Sequence, residues 1–519
     1  MSNLFSHQRD GVAKLVENSV FALFDEMGVG KSKQVIEAAQ VLYARGEIER
    51  VLVVCPAAVR AVWYDYDLGE LRKHLWPATP ARVTEYHQRL RTWVQPIDLA
   101  PRTPALEWRI VNYDFIRNPE RLEDLEAWCA ERRTWLVLDE SSAVKNHKAR
   151  QTKACARLRK ACTRVTLLNG TPVANSPGDL YAQAVIMDRR ILDCKSWFHF
   201  RARYGVLGGF QGRQVVAWQN LEDLQRRLAP HTLRRLKVDV LKDLPAKLPP
   251  VALTATLTDE TWKLYRGMRD ELVAWLSDET VAVAAQAGVR AMRLSQLTSG
   301  FLGGLITSTP CAECEGVGVG PAGDACQNCG GQGVLERHDP PREIGREKLD
   351  VFLEWLSRRF DEDPHAKILV WCRFRPELER LERELLGQTR LLRLEVGKIW
   401  GGQDRDERER TLRLLDPRTA PSGPVVVVGT PQSGSMGLNL AAAHDVMYVS
   451  NDYSLKTRLQ SEDRVHRPGQ VYPVSYFDVE AVGPRGQRTI DHTILRALRA
   501  KQDLANWTCA AWRASLVEE

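Results

Sequence analysis

Short runs of nearly continuous apolar residues alternate with longer stretches of helical period along the chain. In the first third, these runs lie at residues 50–56, 108–114, 135–140 and 164–172. In the last third, they lie at residues 367–372, 390–395, 424–430 and 445–450. Strands that are apolar throughout are typical of a parallel sheet with helices on both faces. Residues 190–300 are mostly helical in period and show no comparable strand, so the pattern predicts two α/β halves around a helical centre.

The length of the chain agrees with several domains. Its 519 residues exceed the roughly 250–300 residues at which a single core stops growing. We expect a first α/β lobe, a helical protrusion with a linker, a small cysteine-containing insert and a second α/β lobe. The expected boundaries are 1–190, 191–306, 307–340 and 341–519.

Composition narrows the class of protein without defining a partner. The chain is 44% hydrophobic and 27% charged, and its formal charge is +7. That surplus permits a polyanionic partner but is too small to argue for one. The first residues lack the apolar core of a signal peptide, and no run of 18 apolar residues occurs, so we expect a cytoplasmic protein without a membrane partner. Seven cysteines are scattered singly, which suits a reducing compartment.

A glycine-containing loop between an apolar strand and an amphipathic helix is the clearest candidate for chemistry. It lies within residues 21–39 and includes Gly28, Gly30, Lys31 and Ser32. Glycines let backbone N–H groups approach phosphate oxygens, a lysine neutralises the terminal phosphates, and a serine hydroxyl can ligate Mg²⁺. The strict pattern has glycine where this chain has Asp25. A phosphate-binding loop is predicted, and a plain helix cap is the alternative.

Two adjacent carboxylates end the apolar run at residues 135–140. Mg²⁺ beside a phosphate loop needs a carboxylate from a neighbouring strand, and hydrolysis needs a residue that positions or deprotonates water. Adjacent residues at a strand end point in different directions, so we expect Asp139 to face the metal and Glu140 to face the water. A strand end that simply faces solvent is the alternative, and the loop at Lys31 counts against it.

A basic segment in the second half offers a third component. Gln460, Arg464 and Arg467 are spaced by four and three residues, which predicts that they share one helix face. Two guanidinium groups aimed the same way, without a matching acid on that face, suit phosphate oxygens. A solvated basic face is the alternative.

Four cysteines form two C-x-x-C pairs, Cys311 with Cys314 and Cys326 with Cys329. Four thiolates from two such turns suit tetrahedral Zn²⁺, and glycines after each pair let backbone amides approach the sulfurs. Those glycines are Gly316, Gly318, Gly331 and Gly333. The pattern is similar to the cysteine repeats of J-domain chaperones, although two repeats imply one zinc and no chaperone function. Disulfide bonds are the alternative, and whether this insert touches DNA or a partner stays open.

The ordered series of motifs resembles the superfamily 2 helicase-type ATPases, and within them the Swi/Snf-like double-stranded DNA translocases. The matching stretches span residues 4–470 and are LFSHQRDGV, DEMGVGKS, VLVVCPAAVRAVW, DESSAVKN, LLNGTPVANSPGDLY, RRLKVDV, ILVWCRF, SGSMGLNLAAAHDVMYVS and QSEDRVHRPGQ. The resemblance implies an α/β fold with two RecA-like parallel-sheet lobes, helical insertions and a small zinc-binding insert. It also implies that ATP bridges the lobes and that its hydrolysis moves them along duplex DNA.

The resemblance further implies roles for individual residues. Gln8 would read adenine, and Gly28, Gly30 and Lys31 would hold the phosphates. Ser32 and Asp139 would hold Mg²⁺, and Glu140 would be the catalytic base. From the second lobe, Gln460, Arg464 and Arg467 would reach the nucleotide. Members of the family contact DNA phosphates after VVCP, near GTP and around SGSMGLNL.

Two positions depart from the family pattern. Ser142 stands where the family usually has histidine, and Asn169 stands where it usually has threonine. Both places are associated with coupling hydrolysis to DNA.

We therefore expect a duplex-driven translocase, with a DNA-bound protein as a candidate target. The alternatives are a helicase that separates DNA or RNA strands and an uncoupled, ATP-gated clamp on DNA. The short stretch after the last motif predicts a compact motor of bacterial or phage type, in the cytoplasm of a bacterial cell or an infected host.

Overall fold

Two sheets of mainly parallel strands organise the chain. The computed structural model describes residues 4–65, 69–87, 92–98, 104–173, 176–208, 214–277, 284–303, 306–315, 326–329, 334–338, 340–433 and 438–517. One sheet has eight strands and the other has six. The predicted α/β fold with two parallel-sheet lobes is confirmed.

The first lobe is built around the eight-stranded sheet. The strands in the first half of the chain are β1 (Val20–Leu23), β2 (Arg50–Cys55), β3 (Ala81–His87), β4 (Thr92–Asp98), β5 (Leu106–Asn112), β6 (Thr134–Leu138), β7 (Arg164–Leu168), β8 (Gly205–Gly208), β9 (Gln214–Trp218) and β10 (Thr232–Leu233). The helices are α1 (Ser6–Glu17), α2 (Lys31–Ala44), α3 (Arg60–Tyr64), α4 (Glu70–His74), α5 (Pro119–Glu131), α6 (Arg150–Ala161), α7 (Asp179–Met187), α8 (Trp197–Tyr204), α9 (Leu221–Leu228) and α10 (Lys237–Val240). The strand order is β10-β1-β7-β6-β2-β5-β3-β4, and β4 alone runs antiparallel to its neighbour among these described strands.

The second lobe is built around the six-stranded sheet. The remaining strands are β11 (Val251–Thr256), β12 (Phe301–Leu302), β13 (Ile306–Pro310), β14 (Val334–His338), β15 (Arg342–Glu343), β16 (Lys367–Trp371), β17 (Glu395–Ile399), β18 (Val425–Gly429), β19 (Asp445–Tyr448) and β20 (Ser475–Val482). The remaining helices are α11 (Asp259–Ser277), α12 (Ala284–Thr298), α13 (Glu347–Glu362), α14 (Arg375–Leu392), α15 (Arg405–Leu415), α16 (Leu455–Glu462) and α17 (Ile490–Val517). The order is β11-β20-β19-β16-β18-β17, with every pair parallel.

The central interval differs from the helical centre that the sequence predicts. β10 joins the first sheet beside β1, and β11 joins the second sheet beside β20. The chain therefore passes from one sheet to the other within residues 234–250. These strands lie at sheet edges and lack continuous apolar runs: β10 has two residues, and β11 is exposed at most of its positions. β8 and β9 form a separate antiparallel hairpin.

The strand predicted at residues 390–395 is wrong. α14 continues through Leu392, and β17 begins only at Glu395. Leu378, Leu381 and Leu385 are buried at spacings of three and four residues, which is helical period. The other seven apolar runs each overlap a strand.

Burial explains why those runs are apolar throughout. Every residue of β2, β6 and β18 is buried, because helices cover both faces of each sheet. Separate apolar clusters lie on the two faces of the first sheet and on the two faces of the second. Among the described residues, no helix is both long enough and apolar enough to cross a bilayer.

A buried ionic cluster fixes α16 to the second sheet. Arg458 Nη1 lies 2.5 Å from Asp478 Oδ1 on β20, and its Nε lies 2.6 Å from Glu462 Oε1. Its guanidinium also lies 3.5 Å from the ring centroid of Tyr448. Burial alone would raise the pKa of Glu462, but Lys247 and Arg458 lower it to about 2. The cluster therefore stays charged, and it holds α16 rigidly against β20.

Replacing Arg458 with alanine should destabilise the second lobe. The change leaves two buried carboxylates without their guanidinium partner, and breaking such a pair costs about 3–5 kcal/mol. Arg418→Ala is the matched control, because Arg418 pairs with Asp416 while 82% of its side chain is exposed, and such surface pairs contribute about 0–1 kcal/mol. Urea unfolding of both variants measures the difference. Equal losses of stability would show that the cluster does not hold α16.

Candidate active site

Two glycines allow the backbone of the loop after β1 to adopt its conformation. Gly28 and Gly30 have φ values of 79° and 89°, which is left-handed backbone that disfavours side chains. A Cβ at Gly30 would lie 2.5 Å from Nε2 of Gln8. The loop curls around the Lys31 ammonium, which donates to the carbonyl of Asp25 at 2.7 Å. α2 begins at Lys31 without a side-chain cap, so the anion-attracting end of the helix belongs to this loop.

Gln8, the residue expected to read adenine, lies against the loop. In the first turn of α1, its Nε2 donates to the carbonyl of Val29 at 3.3 Å, and its Oε1 accepts from the backbone N–H of Phe5 at 3.2 Å. Nε2 of His7 lies 3.2 Å from the same Val29 carbonyl. α1 therefore packs its first turn onto the loop and holds the Gln8 amide beside Gly30.

Asp25, which replaces the expected glycine, anchors the loop. Its carboxylate is buried and receives two bonds from the Arg235 side chain, with Nη2 at 2.5 Å from Oδ2 and Nε at 3.0 Å from Oδ1. The backbone N–H of Arg235 donates a third, to Oδ1 at 3.1 Å. Arg235 Nη2 also donates to Gln34 Oε1 on α2 at 3.0 Å. Sequence reasoning missed Arg235 as part of the site, although the RRLKVDV stretch contains it. Asp25, which stands where the strict pattern has glycine, therefore fastens the loop to the segment after β10.

β6 delivers Asp139 and Glu140 to the same cleft. β6 lies two strands from β1 in the sheet, and both carboxylates act electrostatically on Lys31. Glu140 has φ 53°, so the chain turns sharply into the 3₁₀ helix Ser141–Val144 and the two side chains diverge. The backbone N–H of Glu140 donates to Asp139 Oδ1 at 2.9 Å. The structure thus brings the loop and the acidic pair together.

The two carboxylates differ in charge behaviour. Burial, reinforced by the charge of Glu140, raises the pKa of Asp139 to about 6. Burial would also raise the pKa of Glu140, but Lys456 and Lys31 bring it below its ordinary value. Burial lowers the pKa of Lys31 itself, against the opposing charge of the surrounding carboxylates. Glu140 is therefore an anion at neutral pH, whereas Asp139 takes up a proton near pH 6.

Trp63 is a partner of Asp139 that sequence reasoning missed. It lies on α3, directly after β2, and its side chain is fully buried. Its indole Nε1 donates to Asp139 Oδ2 at 2.9 Å. The hydroxyl of Tyr113 donates to the backbone carbonyl of Asp139, also at 2.9 Å. The only sequence signal for Trp63 was its place at the end of VLVVCPAAVRAVW.

The basic segment lies in the second lobe, but the prediction of a shared helix face is wrong. α16 carries Gln460 and ends at Glu462, and both Arg464 and Arg467 follow in turns. Backbone bonds between residues three apart tighten the chain there. Pro468 lacks an N–H donor and disfavours helical backbone in the preceding residue, so the periodicity stops.

Both arginines nevertheless lie near the cleft. Arg464 acts electrostatically on Glu140, and burial lowers the pKa of Arg464. Arg467 Nη1 donates to the carbonyl of Leu438 at 2.7 Å, and Glu70 of the first lobe acts on it electrostatically. Residues 434–437 of the SGSMGLNL stretch lie outside the described residues.

Two lysines that sequence reasoning missed join the lobes. Lys456 Nζ, on α16, lies 2.8 Å from Glu140 Oε2 and donates to Ser142 Oγ at 2.8 Å. Lys237, on α10, is buried and its ammonium contacts the carboxylate of Asp463. Glu140 therefore meets the second lobe through Lys456 as well as through the charge of Arg464.

The four clustered cysteines converge on one point. All four are buried, and their sulfurs lie within 4.8 Å of one another. The Cys311–Cys326 and Cys314–Cys329 sulfurs are 3.9 and 3.7 Å apart. A tetrahedral ion with Zn–S bonds of about 2.3 Å places its sulfurs roughly 3.8 Å apart, whereas a disulfide requires about 2.05 Å. The cluster fits a tetrahedral metal, and the disulfide alternative does not hold. The four glycines that follow the pairs lie outside the described residues.

Two α/β lobes that meet at a phosphate loop, an acidic pair and a basic segment define the helicase-type ATPase class. Family models match both lobes: the SNF2-related domain at residues 7–300 and the helicase conserved C-terminal domain at residues 347–469. Because the first match covers more than half of the chain, the chain belongs to the SNF2-related family. The resemblance found in its motifs is confirmed.

Curated proteins from eukaryotes are similar along most of this chain. TATA-binding protein-associated factor 172 of Homo sapiens is 26% identical over 99% of this chain and 28% of its own length. The ATP-dependent DNA helicase DDM1 of Arabidopsis thaliana is 25% identical over 91% of this chain and 58% of its own length. The chain thus spans only part of either relative. A solved SWI2/SNF2 ATPase core of Sulfolobus solfataricus in complex with dsDNA is similar over 97% of this chain and 92% of its own, at 21% identity and a TM-score of 0.40.

Replacing Trp63 with phenylalanine is expected to lower the ATPase kcat by about 10- to 100-fold, because a hydrogen bond to a charged acceptor contributes about 1.5–3 kcal/mol. The Mg²⁺ concentration for half-maximal rate should rise as Asp139 loses its orientation. Trp108→Phe is the matched control: Trp108 is equally buried in the same apolar core, and its indole N–H has no hydrogen-bond partner among the described residues. Equal effects of the two substitutions on kcat and on the Mg²⁺ dependence would contradict the prediction.

Proposed function

We propose that the chain hydrolyses ATP in the cleft between its lobes and uses this cycle to translocate along double-stranded DNA. The observation that carries the proposal is the position of Glu140. Its carboxylate interacts electrostatically with Lys31 of the phosphate loop and forms an ion pair with Lys456 of the second lobe. A catalytic group placed between two bodies makes hydrolysis depend on their arrangement. Membership of the SNF2-related family supports the same activity.

Residues of the first lobe have distinct proposed roles. Gln8 would recognise adenine beside the loop, and Lys31 would neutralise the β and γ phosphates. Glu140 would accept the proton of the attacking water as general base. The left-handed backbone at Gly28 and Gly30 leaves the loop amides open to phosphate oxygens, which supports these roles.

Ser32 and Asp139 would hold Mg²⁺, which neutralises phosphate charge when it is bound. The fit rests on the donor set: Ser32 lies in the first turn of α2, and the buried Asp139 carboxylate acts electrostatically on Lys31 of the same loop. Hydroxyl and carboxylate oxygens are the ligands that Mg²⁺ prefers.

Residues of the second lobe would complete the site after a movement. Arg464 and Arg467 would contact the γ-phosphate, and Gln460 would contact the nucleotide. Arg467 is engaged with the Leu438 carbonyl, so this role requires the segment after α16 to shift toward the phosphate loop. Guanidinium groups supplied in this way stabilise charge in phosphoryl transfer.

Duplex DNA is the proposed partner. The relative DDM1 is described as an ATP-dependent DNA helicase, and the net charge of +7 permits a polyanion. The proposed phosphate contacts come from the stretches after β2, after β7 and before β19. A DNA-bound protein as the target is part of the proposal, because another relative is named for the TATA-binding protein.

We also propose the four-part division of the chain at 1–190, 191–306, 307–340 and 341–519. Within the 191–306 part, β10 pairs with the first sheet and β11 pairs with the second. Reduced, buried cysteines outside the cluster support the cytoplasm as the proposed location. The bacterial or phage-type origin expected from the sequence is retained only as a proposal.

Steady-state ATP hydrolysis with no nucleic acid, with single strands and with duplex separates the candidate functions. Duplex should stimulate the rate more than single strands do. Glu140→Gln should lower kcat by about 10²–10⁴ while ATP still binds, and Lys31→Ala should weaken nucleotide binding. Preferential stimulation by single strands, with displacement of an annealed oligonucleotide, would favour a strand-separating helicase. Nucleotide-dependent DNA binding without hydrolysis would favour the clamp.

We propose that Cys311, Cys314, Cys326 and Cys329 hold one structural Zn²⁺. The sulfur spacing supports this ion, and among the described residues of the insert Leu335 packs against the cluster. Metal binding would then contribute directly to the folding of the insert.

Elemental analysis of the purified chain should give one zinc per molecule. Cys311→Ser should lose that zinc, because three thiolates remain for a four-coordinate ion. Cys194→Ser, which changes a buried cysteine outside the cluster, should retain it. The absence of zinc from wild-type protein, or its retention in Cys311→Ser, would contradict the assignment.

A further inference from the structure

The contact between the lobes at Glu140 depends on a lysine outside the predicted nucleotide motifs. Lys456 lies in the first turn of α16. Its Nζ is 2.8 Å from Glu140 Oε2 and 2.8 Å from Ser142 Oγ. The Lys456 side chain is 27% exposed and that of Glu140 is 16% exposed, so the pair is partly shielded from water.

We propose that Lys456 is a positioning residue that restrains the general base from across the cleft. The ammonium sits on a carboxylate oxygen that, in a base, must be free to accept a proton from water. The second lobe therefore sets the orientation of Glu140, and the base turns to water only when Lys456 leaves it. This inference rests on the proposed function of Glu140.

Ser142 supplies a second acceptor that orients the Lys456 side chain. Its hydroxyl, in the 3₁₀ helix that follows Glu140, accepts from the same ammonium. Two acceptors on one short segment fix a lysine side chain that is otherwise flexible. A histidine at position 142, which the resembled family usually has, is bulkier and becomes a cation when protonated, so it would compete with Lys456 for this place. The serine and the lysine thus belong to one arrangement.

The rest of α16 couples the position of Lys456 to that of the whole second lobe. Arg458 and Glu462, two and six residues further along the helix, belong to the buried cluster that ties α16 to Asp478 of β20. Lys456 therefore cannot leave Glu140 through a local movement of α16 alone. Its release requires rotation of its own side chain or displacement of the lobe.

ATP hydrolysis by three variants tests the inference. Lys456→Ala is expected to raise the rate without DNA by about two- to fivefold, as for the loss of a partly exposed ion pair. The duplex-stimulated kcat should change little, so the stimulation ratio falls, and the KM for ATP should stay constant. Lys456→Arg should preserve the wild-type ratio, and Ser142→Ala should fall between wild type and Lys456→Ala. Lys398→Ala is the matched control, because Lys398 pairs with Glu382 within the second lobe and is similarly exposed, at 25%.

Hydrogen exchange in nucleotide-free protein supplies a readout other than activity. Residues 141–144 and 455–462 should exchange faster in Lys456→Ala than in wild type, and at the wild-type rate in Lys398→Ala. Unchanged exchange together with an unchanged basal rate would overturn the inference, and so would a basal rate that falls in Lys456→Ala. If wild-type protein hydrolyses ATP no faster than Glu140→Gln, the proposed function fails instead, and the exchange comparison still decides whether Lys456 joins the lobes.

Discussion

Two neighbouring carboxylates at the end of a buried strand are costly unless cations and donors surround them, and this constraint organises the cleft. Burying a charge without partners costs far more than most single interactions return. Asp139 is satisfied from within the first lobe, by the indole of Trp63 and by the turn itself. Glu140 is satisfied from the other lobe, by Lys456. The electrostatic requirement of one strand end therefore links the two lobes, beside the contact of Lys237 with Asp463.

The strands that could be predicted from the sequence are those in which every residue is buried. β2, β6 and β18 are covered on both faces and read directly as apolar runs. Strands at the sheet edges, such as β11 and β17, are covered on fewer sides and mix exposed with buried positions. No period in the sequence separates such strands from loops or helix ends, so β11 was missed and β17 was misplaced.

The same division applies to the site. The phosphate loop and the acidic pair were predictable because local backbone chemistry fixes them: left-handed glycines at Gly28 and Gly30, and paired acids at a strand end. Arg235 and Lys456 were not, since they act on residues 210 and 314 positions away. Such contacts depend on the order of the strands in the sheets and on the packing of the lobes, which the sequence pattern does not encode. The shared face predicted for Arg464 and Arg467 failed for a local reason, because helical period was extended toward Pro468 beyond the end of α16.

The single passage of the chain from β10 to β11 has a mechanical consequence. Each end of residues 234–250 is fastened into a sheet by strand pairing, so the lobes are tethered by a segment that spans on the order of 60 Å when fully extended. A short tether, itself held to the first lobe at Arg235 and to the second lobe at Lys247, keeps the two cleft surfaces at a high effective concentration. Contacts across the cleft then need little intrinsic affinity to form and break repeatedly, which suits weak, reversible ion pairs better than a large apolar interface.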